Sequence, residues 1–336
     1  MSLEERFQKF FPEKILQAAE IMHKGNNQLC TAETRKAKYL LKKYSTVQAD
    51  GWNRGETEFR AISHFWRRGI KEIPQPIGFY AEENTGIYSF ENGKVLAPEE
   101  VDEMHIEKAA RFIAKLHGFG VEDKKAFPKE RTPCLRIIDY VALIEKRLET
   151  LSRDFDYSKC SKRARNFLDK DIADKVRELK GYILGNGGRF DLEKELTLGE
   201  QVITPGDFGF HNMLADNEKC VFLDFEYCGR DDPVKQILDF LHHDQTRTIS
   251  KSLKNLFVET YRANMQVSED FDARMRLVDS LIGMNWTLIY MNVVSKNYLQ
   301  HLQFAHGEIG AVIDERIKKA EEKLKNLKYF QEILTI

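Results

Sequence analysis

Residues 202–240 read VITPGDFGFHNMLADNEKCVFLDFEYCGRDDPVKQILDF, and the rest of the chain is organised around them. The pattern predicts a short strand from Val202, a tight loop, a β-hairpin of 210–215 against 219–225, and a helix opening at Asp232-Pro233. Asp207 and Asn212 stand at the two ends of the loop, and Asp224 follows the apolar run Val221-Phe222-Leu223. The hairpin, turned at Asp216-Asn217-Glu218, is expected to return Asp224 beside Asn212. One carboxylate able to orient an attacking hydroxyl, with further oxygen donors for metal ions that neutralise phosphates, is what a phosphoryl-transfer site needs. Asp232 is fully accounted for as an N-cap followed by proline at the first helical position.

Working outward, the 336 residues carry a net charge of −1, with 42% hydrophobic and 31% charged residues. That composition suits a folded chain with a substantial core and gives no basic field for nucleic acid or an anionic membrane. The five cysteines, Cys30, Cys134, Cys160, Cys220 and Cys228, are scattered and form no C-x-x-C pair, which predicts reduced thiols and a cytoplasmic setting. The start of the chain is charged and lacks an apolar signal segment, and the longest uncharged run, 280–295, is too short and polar to predict a membrane span. Histidines 242, 243, 301 and 306 show no zinc-ligand spacing, and no Walker A, nucleophile-elbow or His-Glu-x-x-His pattern occurs.

Upstream, Leu16–Met22 reads as a helical piece, followed by a turn at Lys24-Gly25-Asn26-Asn27 and strands at 28–32 and 37–44. Gly25, Asn26 and Asn27 suit a lid over phosphates, and equally an ordinary hairpin turn. Strand alternation places Lys42 and Lys43 on opposite faces, and Glu58, on a helix over 55–68, is able to face inward toward one of them. A hairpin over 77–90 leads to the turn 91–94, the expected boundary between lobes of residues 1–92 and 93–336, with Tyr88 to Glu91 expected to line a base pocket. Beyond it come helices at 98–116, 135–152, 161–184, 233–243, 250–265, 270–295 and 309–334. The acidic residues Glu226, Asp231, Asp232, Asp239 and Asp244, with Trp286 or Tyr290 as an aromatic wall, suggest a cationic acceptor; solvated helix positions are the alternative.

With these residues in view, the chain resembles the aminoglycoside phosphotransferase / choline kinase superfamily, the small-molecule branch of the protein-kinase-like fold, from Gly25 to about Phe240. The likeness rests on Gly206-Asp207-Phe208-Gly209-Phe210-His211-Asn212 followed by Asp224-Phe225-Glu226. It implies an α+β, two-lobed fold, with a small β-rich N-terminal lobe and a large, mainly helical C-terminal lobe. It further implies Asp207 as catalytic base, Asn212 and Asp224 as magnesium ligands, and Lys42, chosen over Lys43, as the phosphate-binding lysine partnered by Glu58. Glu226, where protein kinases have glycine, would hold a second magnesium or face a polar substrate; a surface glutamate is the alternative. Pro205 replaces the family's histidine, which puts the bracing of the loop in doubt.

The implied activity is magnesium-dependent transfer of the γ-phosphate of ATP or GTP to a hydroxyl of a small molecule, of aminoglycoside, choline, amino-alcohol or sugar-like type. A nucleotide-binding regulatory module without turnover is the alternative. A protein kinase is disfavoured, since no Ala-Pro-Glu follows the metal turn and Asp232 comes only eight positions after Asp224.

Overall fold

The structure is a computed structural model that describes residues 2–21, 27–45, 51–186, 188, 190–217, 219–299 and 309–327. Its N-terminal part is one antiparallel sheet of five strands in the order β1-β2-β3-β5-β4. The strands are β1 (Gln17–Ile21), β2 (Gln28–Glu33), β3 (Lys38–Lys43), β4 (Pro76–Tyr80) and β5 (Thr85–Ser89). One sheet face buries Leu41 and Ile87 against Phe7, Phe10 and Phe11, the first of which belongs to a short helix, α1 (Leu3–Phe7). The other face carries Lys42 and packs on α2 (Arg54–Arg67), whose buried side includes Glu58, Ala61, Ile62 and Phe65. The two-residue period of a strand thus sends Leu41 and Lys42 to different environments.

The segment expected as a helix, Leu16–Met22, is instead the edge strand β1 within its described residues, pairing Ala18 with Ala32 and Glu20 with Cys30. Its Ala and Glu residues favour helix locally, but so short a segment gains little from helix formation, and the open edge of β2 offers a full ladder of backbone partners.

The remainder is mainly helical. After β6 (Lys94–Val95) come α3 (Glu103–His117), α4 (Val121–Lys125), α5 (Ile137–Arg153), α6 (Lys162–Asn166) and α7 (Ala173–Asn186). The helix predicted over 161–184 is interrupted by a π-helical stretch, Phe167–Ile172. Strands β7 (Val202–Thr204), β8 (Met213–Asp216), β9 (Lys219–Phe222) and β10 (Gly229–Asp231) follow, then α8 (Pro233–His242), α9 (Lys251–Asn264), α10 (Phe271–Tyr290) and α11 (Gly310–Lys325). β8 pairs with β6 and β9, and β7 pairs antiparallel with β10, a strand the sequence reading did not anticipate.

Aromatic packing fixes the 202–240 stretch in this frame. Phe112 on α3 stacks on Phe222 of β9 with ring centroids 4.0 Å apart, and Phe225 lies between Phe65 of α2 and Phe112 at 5.7 Å and 6.2 Å. Phe225 is wholly buried, so the turn holding Asp224 is wedged against the helix that carries Glu58. The stretch Phe271–Val294 is 24 residues long and apolar enough to cross a membrane, but 83% of its most apolar window is buried in the core. The stripe of α11 also docks inward through Ile313 and Ala320, and all five cysteines are unpaired thiols.

Candidate active site

The chemistry gathers where β3, α2 and the hairpin turn meet. Lys42 is buried on β3, its Nζ 2.7 Å from Glu58 Oε2 and 2.8 Å from Asp224 Oδ1, with Glu226 Oε2 4.0 Å away. Lys43, on the opposite strand face, is only half-buried. Burial alone would strip the proton from Lys42, but the charges of Glu58, Asp224 and Glu226 outweigh it and hold the ammonium well above its ordinary range. Burial pushes the Glu58 carboxyl up to about 7, with Lys42 pulling it back. Tyr44 donates from its hydroxyl to Glu58 Oε2 at 2.8 Å and contacts the Tyr88 hydroxyl at 2.9 Å. The Tyr88 side chain is therefore turned inside, under the sheet: a buried hydroxyl goes where it finds a partner.

Glu226 is buried rather than a surface glutamate. Its carboxylate accepts from Asn27 Nδ2 at 3.0 Å and lies 3.6 Å from Arg54, while its carbonyl accepts from Trp52 Nε1 at 2.7 Å. Burial raises its carboxyl, helped by the neighbouring Asp224. Of the expected phosphate lid, Asn27 is thus placed at the site, whereas Gly25 and Asn26 lie outside the described residues. Oxygens of Glu58, Asp224 and Glu226 all fall within 4.8 Å of one another.

The loop of Asp207 is set by a close approach. Gly206 has φ of +86°, and a Cβ there would stand 2.6 Å from Tyr227 Cβ, so a glycine lets the loop lie directly on the chain that follows Glu226. Asn212 closes the loop by donating from Nδ2 to the Asp207 carbonyl at 3.0 Å, and Leu223 N donates to the Asn212 carbonyl at 2.8 Å. Asp224 itself adopts the left-handed conformation, φ +64°, which turns the chain sharply after β9.

Two histidines flank the Asp207 carboxylate. His211 Nε2 is 3.3 Å from Oδ2 and His243 Nε2 is 3.6 Å from Oδ1; the two imidazoles stack at 4.6 Å, 8° from parallel. Burial works against ionisation of Asp207, but the imidazoles overcome it and hold the carboxyl well below its usual range. Burial likewise opposes the charge on His211, and Asp207 overrides it, raising that imidazole above 6.5. The pair was missed in the sequence because His243 belongs to the end of α8 and meets Asp207 only through the fold; the position of His211 beside Asn212 was the available signal.

Asp207 and His243 also line a cavity of about 440 Å³, together with Tyr227, Asp239, Trp286 and Asn292. Trp286, whose spacing on α10 also suited a core position, is half-buried and meets His243 edge-on at 4.7 Å. The expected acidic cluster is mostly consumed. Asp231 pairs with Lys235, Asp232 caps α8 and accepts from Tyr140, and Asp244 accepts from Tyr290 and Lys319. Tyr290 is thereby turned away from the cavity wall, and Asp239, which among the described residues forms no ion pair, accepts from Trp286 Nε1 at 3.0 Å.

The chain matches the phosphotransferase enzyme family (APH) over residues 25–269. Its structure is similar to that of the spectinomycin phosphotransferase APH(9)-Ia, solved with ADP and spectinomycin, at 14% identity and a TM-score of 0.62 over 96% of this chain and 97% of that one. It is similar to a choline kinase from Cryptosporidium parvum Iowa II at 16% identity and a TM-score of 0.63, over 99% and 97% of the two chains. It is also similar to the amicoumacin kinase hAmiN, solved with AMP-PNP, Ca2+ and Ami, at 13% identity and a TM-score of 0.61, over 97% and 94%. No curated protein sequence matches the chain. At these identities the structural likeness carries the fold, which is kinase-like and α+β.

Proposed function

The chain belongs to the phosphotransferase enzyme family, and from that premise we propose that it moves the γ-phosphate of a nucleoside triphosphate, ATP or GTP, to a hydroxyl of a small molecule, with magnesium. The observation that carries the reading is Lys42, held between Glu58 and Asp224 within one fold-linked unit with Asp207. We divide the chain into lobes of residues 1–92 and 93–336, because β5 closes the N-terminal sheet at Ser89 and β6 already pairs with β8.

In this reading Lys42, steadied by Glu58, contacts the nucleotide phosphates, and Asn27, just before β2, lies beside them. The donor set fits magnesium: the carboxylates of Asp224 and Glu226 and the amide oxygen of Asn212 are hard oxygens, and the Asn212 amide nitrogen is already spent on Asp207. Bound there, magnesium would neutralise phosphate charge. Asp207, kept ionised by its imidazoles, accepts a hydrogen bond from the acceptor hydroxyl and aims its oxygen at the γ-phosphorus. As the new P–O bond forms and the bond to the nucleoside diphosphate breaks, the hydroxyl proton passes to the Asp207 carboxylate. Positioning and charge neutralisation supply most of the rate.

The test is a panel of small hydroxyl compounds with ATP and GTP, read by mass spectrometry for phosphorylated product. Asp207→Asn should cut turnover by about 100-fold or more while nucleotide still binds. Nucleotide binding with no transfer to any acceptor would mark a regulatory module instead.

A further inference from the structure

Among the charged side chains that line the cavity beside Asp207 are Arg147 of α5 and Asp239 of α8. Arg147, half-buried, donates from Nε to Asn285 Oδ1 at 3.0 Å. From α8 comes Asp239, held by Trp286 Nε1. Among the described residues neither forms an ion pair, although the same cavity contains Lys235, which is doubly paired with Asp231 and Glu130. Burial lowers the Arg147 guanidinium from its ordinary range, with Asp239 partly offsetting it, and burial pushes the Asp239 carboxyl up to about 6, with Lys235 pulling it down. A cation and an anion in one partly desolvated cavity thus feel opposite charges nearby without either being closed into a direct ion pair.

Resting on the phosphotransferase reading of this site, we infer that the acceptor is zwitterionic, a hydroxyl compound whose ammonium group is taken by Asp239 and whose acidic group is taken by Arg147 and Asn285. The planar guanidinium suits a carboxylate or a phosphate, since either presents two oxygens to its fork. Trp286, through its N–H to Asp239, fixes the carboxylate that is assigned to the ammonium. Asp207 shares the cavity with both groups, so the acceptor is gripped at its charged ends while its hydroxyl faces the base.

The experiment measures transfer from ATP to hydroxyl compounds of matched chain length in separate arms: neutral polyols, amino alcohols, hydroxy acids, hydroxy amino acids, and amino alcohols bearing a phosphate. One of the two zwitterionic arms should exceed the others in kcat/KM by about 10-fold or more, and which one does identifies the acidic group. Arg147→Gln should raise KM for that acceptor roughly 10- to 100-fold with kcat little changed, Arg147→Lys should lose less, and KM for the corresponding amino alcohol should stay the same. Asp239→Asn should raise KM for acceptors with an ammonium and spare hydroxy acids. Equal use of amino alcohols or polyols, or an unchanged KM in Arg147→Gln, overturns the inference and leaves the phosphotransferase reading standing. Absence of transfer in every arm, with nucleotide bound, overturns both.

Discussion

Lys42 and Glu58 show how a buried charge is held by several partners at once. Glu58 takes the Lys42 ammonium and the Tyr44 hydroxyl on one carboxylate oxygen, at 2.7 Å and 2.8 Å. Removing one partner of such a pair leaves the other uncompensated, so Lys42→Met should destabilise the fold by roughly 3–5 kcal/mol in urea melts. Adding Glu58→Gln should recover part of that loss, because the orphaned charge is gone. His211 gives a pH signature. Its folded pKa is raised above 6.5 by Asp207, so the stabilisation is fully present below 6.5 and disappears as pH rises through the folded value. The melting temperature of wild type should therefore exceed that of His211→Gln most at mildly acidic pH, and the two curves should converge at alkaline pH.

At the scale of elements, the site depends on two backbone arrangements. Asp232 caps α8 by accepting from Val234 N at 2.9 Å and, wholly buried, also pairs with Arg274 and accepts from Tyr140. Asp232→Ala removes the cap and leaves Arg274 without its carboxylate, and should cost about 3–5 kcal/mol by chemical denaturation. Since α8 carries Asp239 and is followed directly by His243, phosphoryl transfer should fall as well. Gly206→Ala forces a side chain against Tyr227 in a conformation that L residues rarely adopt. It should lower kcat by more than about 10-fold while far-ultraviolet circular dichroism keeps its native shape.

Over the whole molecule, α3 and α9 are joined through a buried histidine. His117, at the end of α3, contacts the Tyr261 hydroxyl of α9 at 2.8 Å, and its imidazole is lowered to about 3 by burial, with a contribution from Lys124. The unfolded chain takes up this proton near 6.5 and the folded one does not, so stability falls as pH drops from 6.5 toward 3. Replacing His117 with Gln should flatten the pH dependence of urea midpoints across that interval, even if the variant is less stable at neutral pH.

Much of the fold was legible in the sequence because local rules and tertiary demands agree. The helix predicted over 98–116 appears as α3, starting at Glu103, with Ile106, Ala109, Phe112, Ile113 and Leu116 in the core. Asp232-Pro233 announced α8, and strand alternation separated Lys42 from Lys43. The local pattern misled at 16–22, where Gln17–Ile21 form an edge strand because pairing with β2 outweighs propensity. Ion pairs across long stretches of chain were equally out of reach. The sequence alone determined the donor inventory around Asp207 and Asp224, since loop and hairpin chemistry acts over neighbouring residues. Only the tertiary structure decided that Glu226 is buried on Asn27 and Arg54, that His243 meets Asp207, and that Arg147 and Asp239 face one cavity without pairing. Those relations depend on how β3, α2, α5 and α8 pack, and packing distances between remote elements are not encoded in any local pattern.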